Sequence, residues 1–242
     1  MKNIPARRIF VWNGREIQYD WIRKKVKNIN LRVRANGTVL VSSPRAVSEK
    51  ELERFLTEKA NFLFHALEKI QKRKELLPPP ITFSEGDSVP IFGEKKILRF
   101  SADVSKNPEE KDGVLLFSSQ NDSVKTKRQL QKYAEKQLRA QILSLCEKAH
   151  PLFCKEKAFP EIRFRAMRAT WGNCRPKENI LTFNTRLSCY PIPCIEYIVM
   201  HEFAHFLVPD HSAAFYALLS EKMPDWQERK KLLNTIPIQP FF

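Results

Sequence analysis

The segment from residue 192 to residue 208 constrains the fold more than any other part of the chain. It contains His201-Glu202-Phe203-Ala204-His205, and residues 194–208 include neither Pro nor Gly. Apolar residues recur at helical spacing ahead of this motif, at Ile195, Ile198 and Val199. Side chains at i and i+4 of a helix project from nearly the same face, so the two imidazoles can bind one cation. The segment therefore predicts a helix that carries two metal ligands.

A third metal ligand has to come from outside this helix. A catalytic zinc ion takes three protein ligands and leaves a fourth position for water. His211 is well placed, because Pro209 is expected to end the helix near Val208 and to turn the chain back toward the metal. Other residues compete for this role or for a further ligand position: Asp210, Glu221 and Cys174.

Glu202 has the position of a general base. It lies about 100° around the helix from His201, which brings its carboxylate to a zinc-bound water without making it a ligand. Zinc lowers the pKa of bound water to roughly 7 and polarises the bond that the water attacks. The motif predicts a zinc-dependent hydrolase in which His201, His205 and His211 bind Zn²⁺ and Glu202 is the catalytic residue.

The N-terminal part of the chain reads as β-rich. Asn13-Gly14 and Asn36-Gly37 are flanked by short apolar or alternating runs, which is typical of β-hairpins with tight turns. Further short strands are expected between Ile81 and Phe117, at Val89–Phe92, Ile97–Phe100 and Val114–Phe117. No internal repeat is evident in the sequence.

Two long amphipathic helices are expected. One runs from Ser48 to about Glu75, begins at a capping box formed with Glu51, and ends before Pro78-Pro79-Pro80. The other covers roughly residues 124–149. The polar stretch 118–122 between them suggests a division into two regions. These are an N-terminal β-rich region with one long helix, residues 1–122, and a metal-binding catalytic region, residues 123–242.

The basic charge suggests an anionic partner. The net charge is +15, and residues 155–242 carry 12 Lys/Arg and 9 Asp/Glu, so most of the excess lies in residues 1–154. A basic N-terminal half could localise the hydrolase on nucleic acid, and a Lys-rich solvated surface is the alternative. Three arginines upstream of the histidine motif, Arg163, Arg165 and Arg168, motivate a further alternative, a metal-dependent phosphohydrolase acting on nucleotides.

Targeting signals and disulfides are not expected. Residues 1–13 lack a continuous apolar core of signal-peptide length, and no window approaches the roughly 18 apolar residues of a membrane span. The five cysteines form no Cys-x-x-Cys pair, which favours reduced thiols. We expect a cytoplasmic protein that acts on a peptide or another hydrolysable substrate and does not enter a membrane.

Several motifs around the histidines occur together in one order. Arg163–Cys174 alternates like a strand and then turns, and Ile180–Asn184 resumes as a strand, which predicts a hairpin beside the metal-binding helix. The order continues with Pro-x-x-x-Ile-Glu-Tyr-Ile-Val-x-His-Glu-Phe-Ala-His and with His-Ser-x-x-Phe. In these residues the chain resembles the YgjP-like metallopeptidase family, and more distantly the SprT-like zincins.

The resemblance covers most of the chain and is strongest in the C-terminal half. It implies an α+β fold, in which a β-rich N-terminal part with a long helix precedes a zincin-like helical catalytic part with a small sheet. It also implies zinc binding by His201, His205 and His211 and catalysis by Glu202. Substitutions in residues 187–191 and 206–209 depart from the common family pattern and concern the substrate pocket. The histidine spacing matches metzincins, but Val208 replaces their glycine, which disfavours that group.

Overall fold

The computed structural model describes residues 5–34, 36–102, 104, 107–118, 122–154 and 156–242. Runs of several strands are followed by runs of helices along the chain, which confirms the α+β class. The strands are β1 (Ala6–Trp12), β2 (Arg15–Arg23), β3 (Asn30–Val33), β4 (Val39–Ser43), β5 (Ser88–Ile91), β6 (Glu94–Ser101), β7 (Glu109–Lys111), β8 (Val114–Ser118), β9 (Glu161–Arg165), β10 (Gly172–Arg175) and β11 (Ile180–Asn184). The helices are α1 (Glu49–Glu58), α2 (Ala60–Leu76), α3 (Ser123–Phe153), α4 (Ile192–Ala204), α5 (Ala213–Lys222) and α6 (Trp226–Thr235), with a 3₁₀ helix at Thr185–Cys189.

The chain forms two compact units, of which the first ends at Leu77. Its sheet has the order β1-β2-β4-β3, with β2 and β4 parallel and the outer pairs antiparallel. Both predicted hairpins are confirmed, since β1 pairs with β2 and β3 with β4. The inner face of the sheet and the two helices bury one apolar cluster that includes Trp21, Val41 and Leu56. This unit therefore has a hydrophobic core of its own.

The long helix expected from Ser48 to Glu75 is two helices. The capping box is confirmed: the Glu51 carboxylate accepts the Ser48 backbone N–H at 2.8 Å, and the Ser48 hydroxyl accepts the Glu51 N–H at 3.3 Å. The prediction of one continuous helix is wrong, because Lys59 has φ −98° and ψ 3° and separates α1 from α2. Leu56 before the break and Ala60 after it are both buried in the same core. Periodicity identified the apolar face but not the bend in the axis.

The second sheet repeats the topology of the first. Its order is β5-β6-β8-β7, with β6 and β8 parallel and the outer pairs antiparallel. A two-residue turn with both φ angles positive closes its hairpins, at Phe92-Gly93 and at Asp112-Gly113, as at Asn13-Gly14 in the first sheet. Each sheet is followed in the chain by long helical segments. The two sheets are thus a structural repeat that the residue identities do not reveal.

The second compact unit begins at Pro78. One apolar cluster joins the second sheet to α3 and α4, with Leu98 and Phe117 from the sheet and Leu138, Val199 and Phe203 from the helices. The compact units therefore divide at residues 77 and 78, whereas the sequence suggested a boundary after residue 122. Residues 119–121 lie outside the described residues. A functional division into residues 1–122 and 123–242 stays a prediction.

The third sheet lies in the second unit and has the order β10-β11-β9. The predicted hairpin is formed by β10 and β11, which are antiparallel. The strand that contains Arg163 and Arg165 is β9, which pairs with the other edge of β11 in parallel. The expectation that this strand belonged to the hairpin is wrong, because residues 166–171 connect β9 to β10 across β11. This arrangement leaves β10 at an edge of the sheet.

Candidate metal centre

Helix α4 supplies the first two histidines. It is buried on most of its surface, and it ends at Ala204, four residues before the predicted end. His205 keeps helical backbone angles, φ −67° and ψ −15°, so it stays on the same side as His201. Its Nδ1 lies 3.1 Å from the Val208 carbonyl oxygen, which accepts a hydrogen bond from that nitrogen in the Nδ1–H tautomer. The tautomer leaves the Nε2 lone pair available to a metal ion.

The chain turns after α4 and brings His211 back to the same place. His211 Nε2 lies 3.1 Å from His201 Nε2, and one ligand atom from each of the three histidines falls within 4.8 Å of the others. Phe215 contacts all three imidazole rings, with centroid distances of 4.7–5.0 Å. It is fully buried in α5 and packs against the three rings.

The electrostatics of the cluster suit a cation. Burial, together with the neighbouring His205 and His211, lowers the pKa of His201 to about 3. Burial also lowers the pKa of His205. The His201 Nδ1 atom is buried and has no hydrogen-bond partner among the described residues. Three imidazole nitrogens this close together form a donor set that fits a divalent metal ion such as zinc.

Glu202 lies beside the histidines in a nearly closed environment. Its side chain is 5% exposed, and it accepts a hydrogen bond from the Cys174 backbone N–H. Burial raises the pKa of Glu202 more than the hydrogen bond lowers it, and the resulting pKa is about 8. Strand β10 covers the carboxylate closely: a Cβ atom added to Gly172 would lie 2.6 Å from the Glu202 Cγ and Cδ atoms. Only a glycine permits this approach.

The raised pKa predicts how stability depends on pH after a chelator has removed metal. The folded protein keeps a proton on Glu202 between about pH 4.5 and pH 8, where the unfolded chain releases it. Stability therefore falls as the pH rises through that window. The side chain of Glu202→Gln cannot ionise. The free energy of unfolding of the variant should therefore rise relative to that of wild type by about 3 kcal/mol between pH 5 and pH 8.

Urea denaturation of both proteins in the presence of a chelator measures this difference. The lowered pKa of His201 has the opposite effect on stability, because it makes the fold more stable as the pH rises from about 3 to 6.5. Both proteins share it, so it cancels in the comparison. Parallel pH profiles for the two proteins would show that Glu202 is not buried as described.

A cleft of about 470 Å³ opens onto the three histidines. Its walls come from the segment 170–176, from α4 and from α6. The residues that line it are Thr170, Trp171, Gly172, Asn173, Cys174, Pro176, Tyr197, Ile198, His201, Glu202, His205, Pro209, His211, Lys230, Leu233 and Asn234. The structure thus brings His201, Glu202, His205 and His211 together in one cavity.

The other candidate residues from the sequence do not join the histidine cluster, although Cys174 lines the cleft. The three competing ligands are absent from the cluster of potential metal ligands in the described part of the chain. Asp210 instead accepts the Ser212 backbone N–H at 3.3 Å, and Glu221 pairs with Lys222. Arg163, Arg165 and Arg168 do not line the cleft. Tyr216 is not among the lining residues either and stacks on Trp226 at 5.2 Å.

Sequence reasoning missed part of the cleft wall. Tyr197 precedes His201 by one helical turn, so helix geometry could have placed it on the same face. Gly172 lies in β10, and its contact with Glu202 depends on the position of that strand. Lys230 and Asn234 come from α6, and no local pattern links that helix to the histidines. These residues belong to the cavity only through tertiary packing.

Comparison with known proteins decides the family. The model of the YgjP-like metallopeptidase domain matches residues 27–236. The chain belongs to the YgjP-like family. The resemblance drawn from the motifs is confirmed, and membership in this YgjP-like metallopeptidase family identifies the chain as a metal-dependent hydrolase.

The comparisons with solved structures and with curated proteins give less information on the family. The crystal structure of the metallopeptidase zymogen of Pyrococcus abyssi abylysin is similar over 41% of this chain and 98% of that chain, with a TM-score of 0.36 and 17% identity. A comparison with curated proteins found no match. A nucleic-acid partner is supported by none of these comparisons. No helix among the described residues has the length and apolar character to cross a membrane.

Proposed function

We propose that this YgjP-like protein is a zinc-dependent metallopeptidase. His201, His205 and His211 bind the metal, and Glu202 is the general base. One observation carries the proposal: three imidazole ligand atoms lie within 4.8 Å of one another, and the buried carboxylate next to them faces the same cleft. Three histidines with an open fourth position are a donor set typical of catalytic zinc.

Glu202 moves the protons of the reaction. A zinc ion held by the three histidines supplies a Lewis acid that acidifies water and polarises the peptide carbonyl. The Glu202 carboxylate takes a proton from the attacking water and delivers it to the nitrogen of the leaving amine, so one water is consumed for each bond broken. A dication held by the three histidines would favour the ionised form of Glu202 and so oppose the effect of burial on the pKa of its carboxyl group.

Strand β10 is suited to align the substrate. Among the described strands it pairs with β11 alone, its residues 172–174 line the cleft, and its Cys174 N–H is donated to Glu202. An extended peptide can add to the remaining backbone groups of this edge by hydrogen bonds, which position the scissile bond without requiring a particular side chain. The arginines that motivated nucleotide hydrolysis lie outside the cleft wall, so the site favours peptides over nucleotides.

Zinc titration of two neighbouring variants tests the proposed ligands. His211→Ala should lower the zinc affinity by about 100-fold or more, because it removes one of three donors. Asp210→Ala is the matched control, since it changes the adjacent residue, which is exposed and outside the cluster. Competition with a chromophoric chelator measures both affinities. Loss of zinc from Asp210→Ala with retention by His211→Ala would reverse the assignment.

Activity is tested on the zinc-loaded wild-type protein. Hydrolysis of a protein substrate such as casein should stop on addition of a chelator and return with zinc. A zinc-loaded, folded protein that cleaves no peptide library would rule out the peptidase function while leaving the metal site intact.

A further inference from the structure

The cleft wall carries a charged residue that takes no part in the proposed reaction. Of the described residues that line the cleft, two carry a formal charge, Glu202 and Lys230. Glu202 is engaged with the attacking water in the proposed mechanism. Lys230 has no part in that mechanism, and among the described residues no carboxylate lies within 4.0 Å of its ammonium group. The cleft therefore presents a cation that the protein itself does not neutralise.

The helix that carries Lys230 is held firmly. Arg229, the preceding residue, donates to Asp225 at 2.7 Å and also to Glu196 of α4. Trp226, one turn earlier, donates its indole N–H to the Ser220 hydroxyl at 2.8 Å. These contacts attach α6 to α4 and α5. Lys230 is consequently displayed from a fixed backbone and not from a loose terminus.

The ammonium group also has a defined place near the histidines. Its Nζ atom lies 5.6 Å from the ring centroid of Tyr216 and 5.4 Å from that of Trp226. Contact with two aromatic faces stabilises a cation without neutralising it. Tyr216 lies 6.4 Å from the ring of His211. The Lys230 ammonium group therefore lies within about 12 Å of the His211 ring, a distance that about four residues of extended peptide span at most.

We propose that Lys230 binds a carboxylate of the substrate next to the bond that is cleaved, so that the enzyme prefers acidic peptides. This inference rests on the proposed peptidase function and names the substrate class of the same site. A carboxylate fits because it forms a charge-assisted hydrogen bond with the ammonium group and neutralises it in a partly desolvated cleft. Asn234, four residues further along α6, lines the same wall and offers an amide N–H to the second carboxylate oxygen.

Two sources can supply this carboxylate: an acidic side chain or the C-terminus of the peptide. Matched fluorogenic peptides separate them. One pair differs by Glu or Gln beside the scissile bond, and the other ends in a free carboxylate or an amide. The wild-type enzyme should show a kcat/KM about tenfold higher for the carboxylate member of one pair. The pair that shows the preference identifies the source.

Variants of Lys230 test whether this residue causes the preference. Lys230→Met keeps the length of the side chain and removes the charge, so the ratio of kcat/KM within the preferred pair should fall toward one. Lys230→Arg keeps the charge and should retain most of the ratio. Unchanged selectivity in Lys230→Met would overturn the proposal. An equal loss for both members of the pair would also overturn it, since that result indicates a role in the reaction itself.

A binding measurement gives a readout besides turnover. Dipeptide hydroxamates with a Glu or a Gln side chain are titrated calorimetrically into zinc-loaded wild type and Lys230→Met. Where the side chain is the source, the Glu compound should bind the wild type about tenfold more tightly than the Gln compound, and this difference should disappear in the variant. If the wild type cleaves the fluorogenic peptides with no preference within either pair, only the inference about Lys230 fails. If zinc-loaded wild type binds none of the hydroxamates and cleaves none of the peptides, the peptidase function fails with it.

Discussion

Glu202→Gln is expected to lower the kcat/KM of the zinc-loaded enzyme by about 1,000-fold while leaving the metal bound. The amide has nearly the same size as the carboxylate but cannot take a proton from water. It can still accept the hydrogen bond from the Cys174 backbone N–H, so β10 should keep its position. The residual activity would then report what the metal and substrate alignment achieve without a base.

Steady-state kinetics on a fluorogenic peptide, with zinc content measured on the same sample, provide the test. Glu221→Gln is the matched control, because Glu221 is an exposed carboxylate in the same compact unit and was an alternative ligand by sequence. It should keep its full activity and its zinc. Activity close to wild type in pure, zinc-loaded Glu202→Gln would remove Glu202 from the mechanism.

Gly172→Ala is expected to lower kcat/KM by about 100-fold with little loss of zinc. The added methyl group would lie 2.6 Å from Glu202 Cγ and Cδ, so the carboxylate has to move. A displacement of about 1 Å in a catalytic group is enough to cause such a loss. The cost in unfolding free energy should stay below about 2 kcal/mol, since a side chain and not the backbone gives way.

The control for this variant is Gly113→Ala in the β7–β8 turn. Gly113 has φ +79° and nothing within 4 Å of an added Cβ, so alanine there costs about 1–2 kcal/mol of backbone strain and leaves the cleft unchanged. The two variants should therefore have similar stability and very different kcat/KM. A crystal structure of Gly172→Ala with Glu202 in its original place and normal activity would contradict the argument.

Local patterns predicted most elements of the fold. Hairpins form where Asn13-Gly14 and Asn36-Gly37 supply tight turns, and α1 begins at the Ser48 capping box. Turn and cap preferences involve a few neighbouring residues, so they are readable in the sequence. The break at Lys59 and the parallel pairing of β9 with β11 were not predicted, because both depend on what the segments pack against.

The spacing of His201 and His205 by itself determined that these two imidazoles share one side of a helix, since 3.6 residues complete a turn. Sequence also drew attention to His211, whose approach to them requires only a short turn after Pro209. Their function as zinc ligands stays a prediction. The tertiary structure alone decided that β10 encloses Glu202 and that Lys230 faces the same cavity. Such contacts join segments far apart in the chain, and their geometry is set by the packing of a shared core, which no local residue pattern encodes.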